Sequence, residues 1–228
     1  MNFSALFTIF AAYTKCVMDT NRLEAFKGCY IMQQEDIKQF ASTLADGFSQ
    51  YGLFKYICNG KYSHSKMESF WAVSLALLGK DAICIADSNE ANSVLIYVGP
   101  QSKEPGLMEY LKAGGIKMLF KLGIRSAVKL LRFDNQAQAV AKRHKNSNCG
   151  YLMAFATRIE KQGQNYGKPL LNALLQYLNA SGEGCYLETL KDANVDLYRH
   201  FSFELVEQMP LGYGGLTLYA MSRNGEKK

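Results

Sequence analysis

Arg158-Ile-Glu-Lys-Gln-Gly-Gln-Asn-Tyr-Gly167 is the stretch on which the fold turns. An apolar run from Tyr151 to Thr157 precedes it and reads as a strand. A leucine-striped helix, Pro169 to Leu178, follows at once. Backbone N–H groups at a helix N-terminus have no intrahelical partner and favour anions. Gly163 and Gly167 can take φ > 0 and let a ligand approach the main chain. Pro169, with no N–H to satisfy, suits a first helical turn. The stretch therefore predicts a strand, a glycine turn and a helix that aim donors at a group such as a pyrophosphate.

Two common phosphate loops are excluded by spacing. Gly163-Gln-Asn-Tyr-Gly-Lys-Pro169 has one residue too few between its glycines for a Walker loop, and proline stands at the magnesium-binding Ser/Thr position. The three glycines of a dinucleotide fingerprint are missing, and the preceding segments do not read as βαβ. Gln162-Gly-Gln-Asn-Tyr-Gly167 instead resembles the acyl-CoA loop of the GCN5-related N-acetyltransferases, roughly Gln/Arg-Gly-x-Gly-x-Gly. Tyr151-Leu-Met-Ala-Phe-Ala-Thr157 resembles that family's fourth strand. Leu187-Glu-Thr189, Asn194-Val-Asp-Leu-Tyr198 and Ser202-Phe-Glu-Leu-Val206 resemble its fifth strand, the helix after it and its sixth strand, in the right order over residues 149–222. Three positions depart from the pattern. Asn165 replaces the middle glycine of the loop, Ile159 a proline, and Ser202 a glycine. Asn tolerates the left-handed region better than most residues, whereas Ser202 is expected to bend the chain differently.

The resemblance implies an α/β fold of the acyl-CoA N-acyltransferase type, a mixed twisted sheet of six to seven strands with helices on both faces. It implies acetyl-CoA as acyl donor, an amine-bearing acceptor and direct transfer, without a metal. Gly163, Gln164, Asn165, Tyr166 and Gly167 would hold the pyrophosphate, with Gln162 ordering the loop and Lys168 close enough to assist. Phe155, Ala156 and Thr157 would lie along the pantetheine arm, with Phe155 and Thr157 as backbone partners. Asn194 would contact that arm or an ordered water; the other reading is a helix N-cap. Tyr198 would protonate the departing thiolate, or simply pack in the core. Glu188 would accept the proton of the amine, or else face solvent or a salt-bridge partner. The alternative function is a catalytically silent acyl-CoA-binding or partner-docking module of the same fold.

Composition narrows the classes. The 228 residues suffice for one core, and 48% hydrophobic with 20% charged residues is ordinary globular usage. Six cysteines, at 16, 29, 58, 84, 149 and 185, form no C-x-x-C pair and no zinc spacing. They read as reduced thiols, and the expected location is cytoplasmic. Cys149 and Cys185 have no visible histidine partner, and His64, His144 and His200 have no paired carboxylate pattern. Phe3 to Ala12 is apolar but lacks a basic flank and is too short to span a bilayer. Residues 1–27 are read as an N-terminal extension and 28–228 as one domain.

Within that domain, Gly28 to Met32 predicts a first strand, and Ile37, Phe40, Ala41 and Leu44 stripe a first helix. Met67 to Leu78 predicts a second helix ended by Gly79. Ala82 to Ala86 and Ser93 to Val98 form a hairpin, and Thr217 to Met221 a last strand. Near 101–145 lies a helical insertion. Leu107 to Phe133 reads as a helix broken at Gly114-Gly115, with Lys117, Lys121, Arg125, Lys129 and Arg132 on one basic face. Despite a net charge of +6, no aromatics interleave with that face as in single-strand binders. Sequence-specific nucleic-acid binding is not expected, nor is membrane contact; a homodimer is allowed. The acceptor cannot be read: Tyr51, Phe54, Tyr56 and Tyr62 could line an apolar amine site or pack the core, and packing is the preferred reading.

Overall fold

The computed structural model describes residues 24–78, 82–103 and 106–225. Strand β1 (Tyr30–Ile31) and a 3-10 turn (Gln34–Asp36) lead into helices α1 (Ile37–Gly47), α2 (Gly52–Ile57) and α3 (His64–Ala76). The hairpin β2 (Ala82–Ala86) and β3 (Ser93–Val98) is followed by α4 (Leu107–Lys112), α5 (Gly115–Leu122) and α6 (Ile124–His144). The C-terminal half comprises β4 (Cys149–Thr157), a 3-10 turn (Ile159–Lys161), α7 (Lys168–Ser181), β5 (Gly184–Thr189), α8 (Asp192–Arg199), β6 (Glu204–Pro210) and β7 (Thr217–Arg223). The described strands form one seven-stranded sheet in the order β1-β2-β3-β4-β5-β7-β6. Every pairing is antiparallel except β4 with β5.

Period-two alternation sends apolar side chains to both faces, as a doubly covered sheet requires. On β2 and β3, Cys84, Ala86, Val94 and Ile96 join the core under α1 to α3 and α5. Ile83, Ile85, Leu95 and Tyr97 join the core under α7 and α8. On β4 the alternation slips once. Ile96 faces Ala154 while Tyr97 faces Leu152, so Met153 is an extra residue, and a bulge of this kind bends the strand that carries it. Beyond it β4 leans away from β5. The two pair only at Cys149–Gly184, Gly150–Cys185 and Tyr151–Tyr186. Glu183 fastens this paired end, accepting hydrogen bonds from Tyr97 (2.8 Å) and Tyr177 (2.9 Å).

Several expectations shift in detail. β1 has only two residues, and the second helix begins at His64; its expected stop, Gly79, lies outside the described residues. Within the stretch read as an N-terminal extension, Phe26 is buried against Tyr177; residues 1–23 lie outside the described residues. The helix read from 107 to 133 breaks twice, at Gly114 and at Gly123 (φ +83°), then runs on to His144. Its basic face is therefore not continuous. Lys129 bonds the Tyr56 carbonyl (2.9 Å), and Arg132 lies over the Tyr213 ring (4.6 Å). Lys117 and Arg125 stay exposed among the exposed Phe120 and Ile124. His144 pairs with Glu207 (2.7 Å), joined by Arg143.

Ser202 keeps the bend that glycine would make. It sits at φ +63°, and the turn closes through Phe203 N–H to the Tyr198 carbonyl (3.1 Å). A side chain held there costs about 1–2 kcal/mol. Branching at Cβ adds to that strain. Ser202→Val is expected to destabilise the protein by about 1–2 kcal/mol, and Ser202→Gly to leave it equal or slightly more stable. Urea unfolding midpoints at constant slope measure both.

Candidate active site

The parting of β4 from β5 leaves a row of main-chain groups without sheet partners. Arg158 N–H donates to the Asn92 carbonyl (2.9 Å), which fixes the phase of the β3–β4 ladder. Antiparallel bonding alternates, so Ala154 and Ala156 turn their N–H and C=O toward β3. Those of Phe155 and Thr157 turn toward the gap. The expected pair of backbone partners thus faces the opening, and Ala156 lies in the wall without offering its main chain.

One end of the gap opens onto the glycine turn. Gln162 donates from Nε2 to the Thr157 carbonyl (3.0 Å), and Gln164 from Nε2 to the Glu160 carbonyl (2.9 Å). Ile159, where a proline was expected, donates its N–H to Asp46 Oδ2 (2.8 Å), a bond proline could not make. Gly163 (φ +76°) and Asn165 (φ +64°) both take the left-handed conformation. Gly167 does not: at φ −82° it is an ordinary helical cap, which corrects the expected positive φ. Its lack of a side chain serves close approach, since a Cβ there would lie 2.6 Å from Phe155 Cζ. Among the described residues, no N–H from Gly163 to Gly167 makes a well-formed backbone hydrogen bond. They border a cleft of about 270 Å³ with Tyr166, Lys168 and Lys161. Lys161 was not singled out from sequence, although it lies inside the decisive stretch.

The cleft continues along Phe155, Thr157 and Leu197 into a space of about 170 Å³, where Gln162, Lys191, Asn194 and Tyr198 contribute. Asn194 is not a helix cap, since Lys191 occupies that position. Its Nδ2 donates to Thr189 Oγ1 (2.9 Å); Thr189 in turn lies 3.3 Å from Tyr51 Oη, which accepts the Leu190 N–H (2.5 Å). Tyr198 is buried with its ring edge-on to Phe203 (5.7 Å). Burial pushes its phenol up, with Tyr51 and Cys185 adding to the effect, so it stays protonated across the neutral range.

Beyond Tyr198 lies a third space of about 120 Å³, walled by Phe48, Tyr51, Phe54, Phe70, Trp71, Phe133 and Glu188. Tyr51 and Phe54 are therefore wall residues as well as packed against the core, so both readings weighed for them apply. Tyr56 stacks on Tyr213 (4.5 Å), and Tyr62 bonds the Ala45 carbonyl. Among the described residues Glu188 forms no ion pair. Tyr151 and Tyr186 each donate a hydroxyl to it, at 2.8 and 2.9 Å. Burial pushes its carboxyl up to about 7, and the two tyrosine bonds and Lys145 only partly oppose this. Tyr186 and Glu188 share a strand face by their two-residue spacing, so this partnership had a trace in the sequence.

Nothing here favours a thiol nucleophile. Cys149 is pushed up to about 11 and Cys185 also upward, both chiefly by burial. The described cysteines are all free. Among the described residues no group of His, Cys, Asp or Glu is spaced to hold a metal ion, and no helix is long and apolar enough to cross a membrane.

Residues 131–203 match the family described as Acetyltransferase (GNAT) family. The chain is 21% identical over 180 residues to an uncharacterised N-acetyltransferase of Schizosaccharomyces pombe, covering 75% of this chain and 72% of that one. Among solved structures, a histone acetyltransferase HPA2-related protein of Corynebacterium glutamicum superposes with a TM-score of 0.61 at 19% identity, over 88% of this chain and 97% of that one. A polyamine N-acetyltransferase of Drosophila melanogaster gives 0.56 at 9% identity, over 86% and 98%.

A carboxyl group with a raised folded-state pKa stabilises the fold below its unfolded value, and that contribution is lost as pH rises through the folded value. Between pH 5 and pH 9 wild type should thus lose on the order of 2–3 kcal/mol of stability relative to Glu188→Gln. Paired denaturant curves at the two pH values measure the difference. A pH-independent gap between the two proteins would mean that Glu188 titrates normally.

Proposed function

We propose that the chain, whose residues 131–203 match the GNAT acetyltransferase family, is an acetyltransferase of that kind and moves an acetyl group from acetyl-CoA directly to a primary amine. The observation that carries this reading is the open main-chain edge of β4. It runs from unpartnered N–H groups at Gly163–Gly167 to a wall holding Tyr198 and Glu188. The loop N–H groups with Lys161 and Lys168 would hold the donor's pyrophosphate. Phe155 and Thr157 would pair with its amide-bearing arm as an added strand does, and a neighbouring N–H near the Met153 bulge would polarise the thioester carbonyl.

The proton transfers follow from the environments described above. A primary ammonium entering the third space meets Glu188, which is ionised above about pH 7 and takes its proton. The freed nitrogen bonds to the thioester carbon, the C–S bond breaks, Tyr198 gives its proton to the departing sulfur, and the second proton shed by the nitrogen restores the Tyr198 hydroxyl. Asn194 and Thr189 fix the start of α8, and with it the placing of Tyr198. Thioester and amine meet in one cleft, so no acyl-enzyme is needed. A cytoplasmic location is part of this reading, supported by the free thiols of the described cysteines.

Calorimetric titration with acetyl-CoA tests the donor site: one-to-one binding at micromolar affinity is expected, weakened at least tenfold in Gly167→Ala, whose new Cβ displaces Phe155. Tyr198→Phe should lower kcat at least tenfold while leaving the KM for acetyl-CoA within about twofold. The kcat/KM profile should fall with unit slope below about pH 7 and lose that limb in Glu188→Gln. Binding without thiol release across amines would leave a silent acyl-CoA-binding module instead.

A further inference from the structure

The space beyond Tyr198 has a chemical character that narrows the acceptor. Its described walls contain one charged side chain, Glu188. Aromatic rings from three parts of the chain face it: Tyr51 and Phe54 around α2, Phe70 and Trp71 on α3, and Phe133 on α6. Three of those rings pack on one another. Phe70 and Trp71 meet edge-on at 5.1 Å, and Phe54 reaches Trp71 at 5.8 Å and Phe70 at 6.2 Å.

Resting on the acetyl-transfer reading, we propose that the acceptor is a lipophilic primary monoamine, its amino group on a short linker to an aromatic or comparably apolar body. The amine pairs with Glu188 and the body stacks against the α2–α3–α6 rings. Each alternative leaves a charge unpaired. A second ammonium, as in a polyamine, finds no second carboxylate in the described walls and would be buried alone. A carboxylate beside the amine, as in a free amino acid, finds no cation there and is repelled by Glu188. Apolar bodies lose only water on entry and gain ring contacts of favourable geometry.

Trp71 is the chain's single tryptophan, so its fluorescence reports occupancy without turnover. Phenethylamine should alter that emission saturably, and Phe133→Ala should weaken the effect at least tenfold while leaving acetyl-CoA binding unchanged. In steady-state thiol release, kcat/KM for phenethylamine or hexylamine should exceed that for putrescine, spermidine or phenylalanine at least 100-fold. Putrescine or phenylalanine matching phenethylamine would overturn the proposal, as would the absence of saturable phenethylamine binding. Loss of the donor reading is seen separately, as absent acetyl-CoA binding alongside intact phenethylamine binding.

Discussion

Two parallel strands that hydrogen-bond for three residues and then diverge are the constraint on which the rest depends. A sheet normally satisfies every interior main-chain group. Here β4 carries one residue too many at Met153, and its second half swings off β5. The result is a strand edge inside the protein, not at its rim. Such an edge is costly unless something pairs with it. Clamping of the other end by Tyr97, Tyr177 and Glu183 keeps the opening a wedge rather than a break in the sheet.

Placing that wedge between two apolar cores determines the chemistry of the polar groups at its lip. Glu188 and Tyr198 both experience burial, and burial raises both, yet the consequences differ. For a carboxylic acid the rise brings the titration into the physiological range, so the group can both accept and release a proton. For a phenol it moves titration out of that range, so the group enters every cycle protonated. One environment therefore separates an acceptor from a donor using two ordinary side chains. The hydroxyls of Tyr151 and Tyr186 limit the rise at Glu188, keeping the carboxylate accessible near neutrality.

The strand, glycine turn and helix were legible in the sequence because their arrangement is local. Strand, turn and helix follow one another within residues 149–181, and each residue's task depends on neighbours a few positions away. Two of the three departures also resolve locally, whereas Ile159 is resolved only through a distant partner. Asn165 and Ser202 adopt the left-handed backbone that glycine would, and Ile159 exchanges a proline's rigidity for a hydrogen bond to Asp46. Gly167 was singled out for the wrong physical reason. Its position demands room beside Phe155, a fact about a side chain twelve residues back that no turn rule contains.

The aromatic space beyond Tyr198 resisted reading because it is assembled from segments distant in sequence. Phe54, Trp71 and Phe133 converge only once α2, α3 and α6 are packed, and each alone looks like a core aromatic. Their dual use has a physical basis. Rings that line an internal cleft must be held by other rings behind them, since a wall residue free to rotate would fill the space it borders. The contacts among Phe54, Phe70 and Trp71 supply that support. Core packing and the shape of the cleft are thus the same set of contacts seen from opposite sides, and only the side facing Glu188 distinguishes a wall from a core.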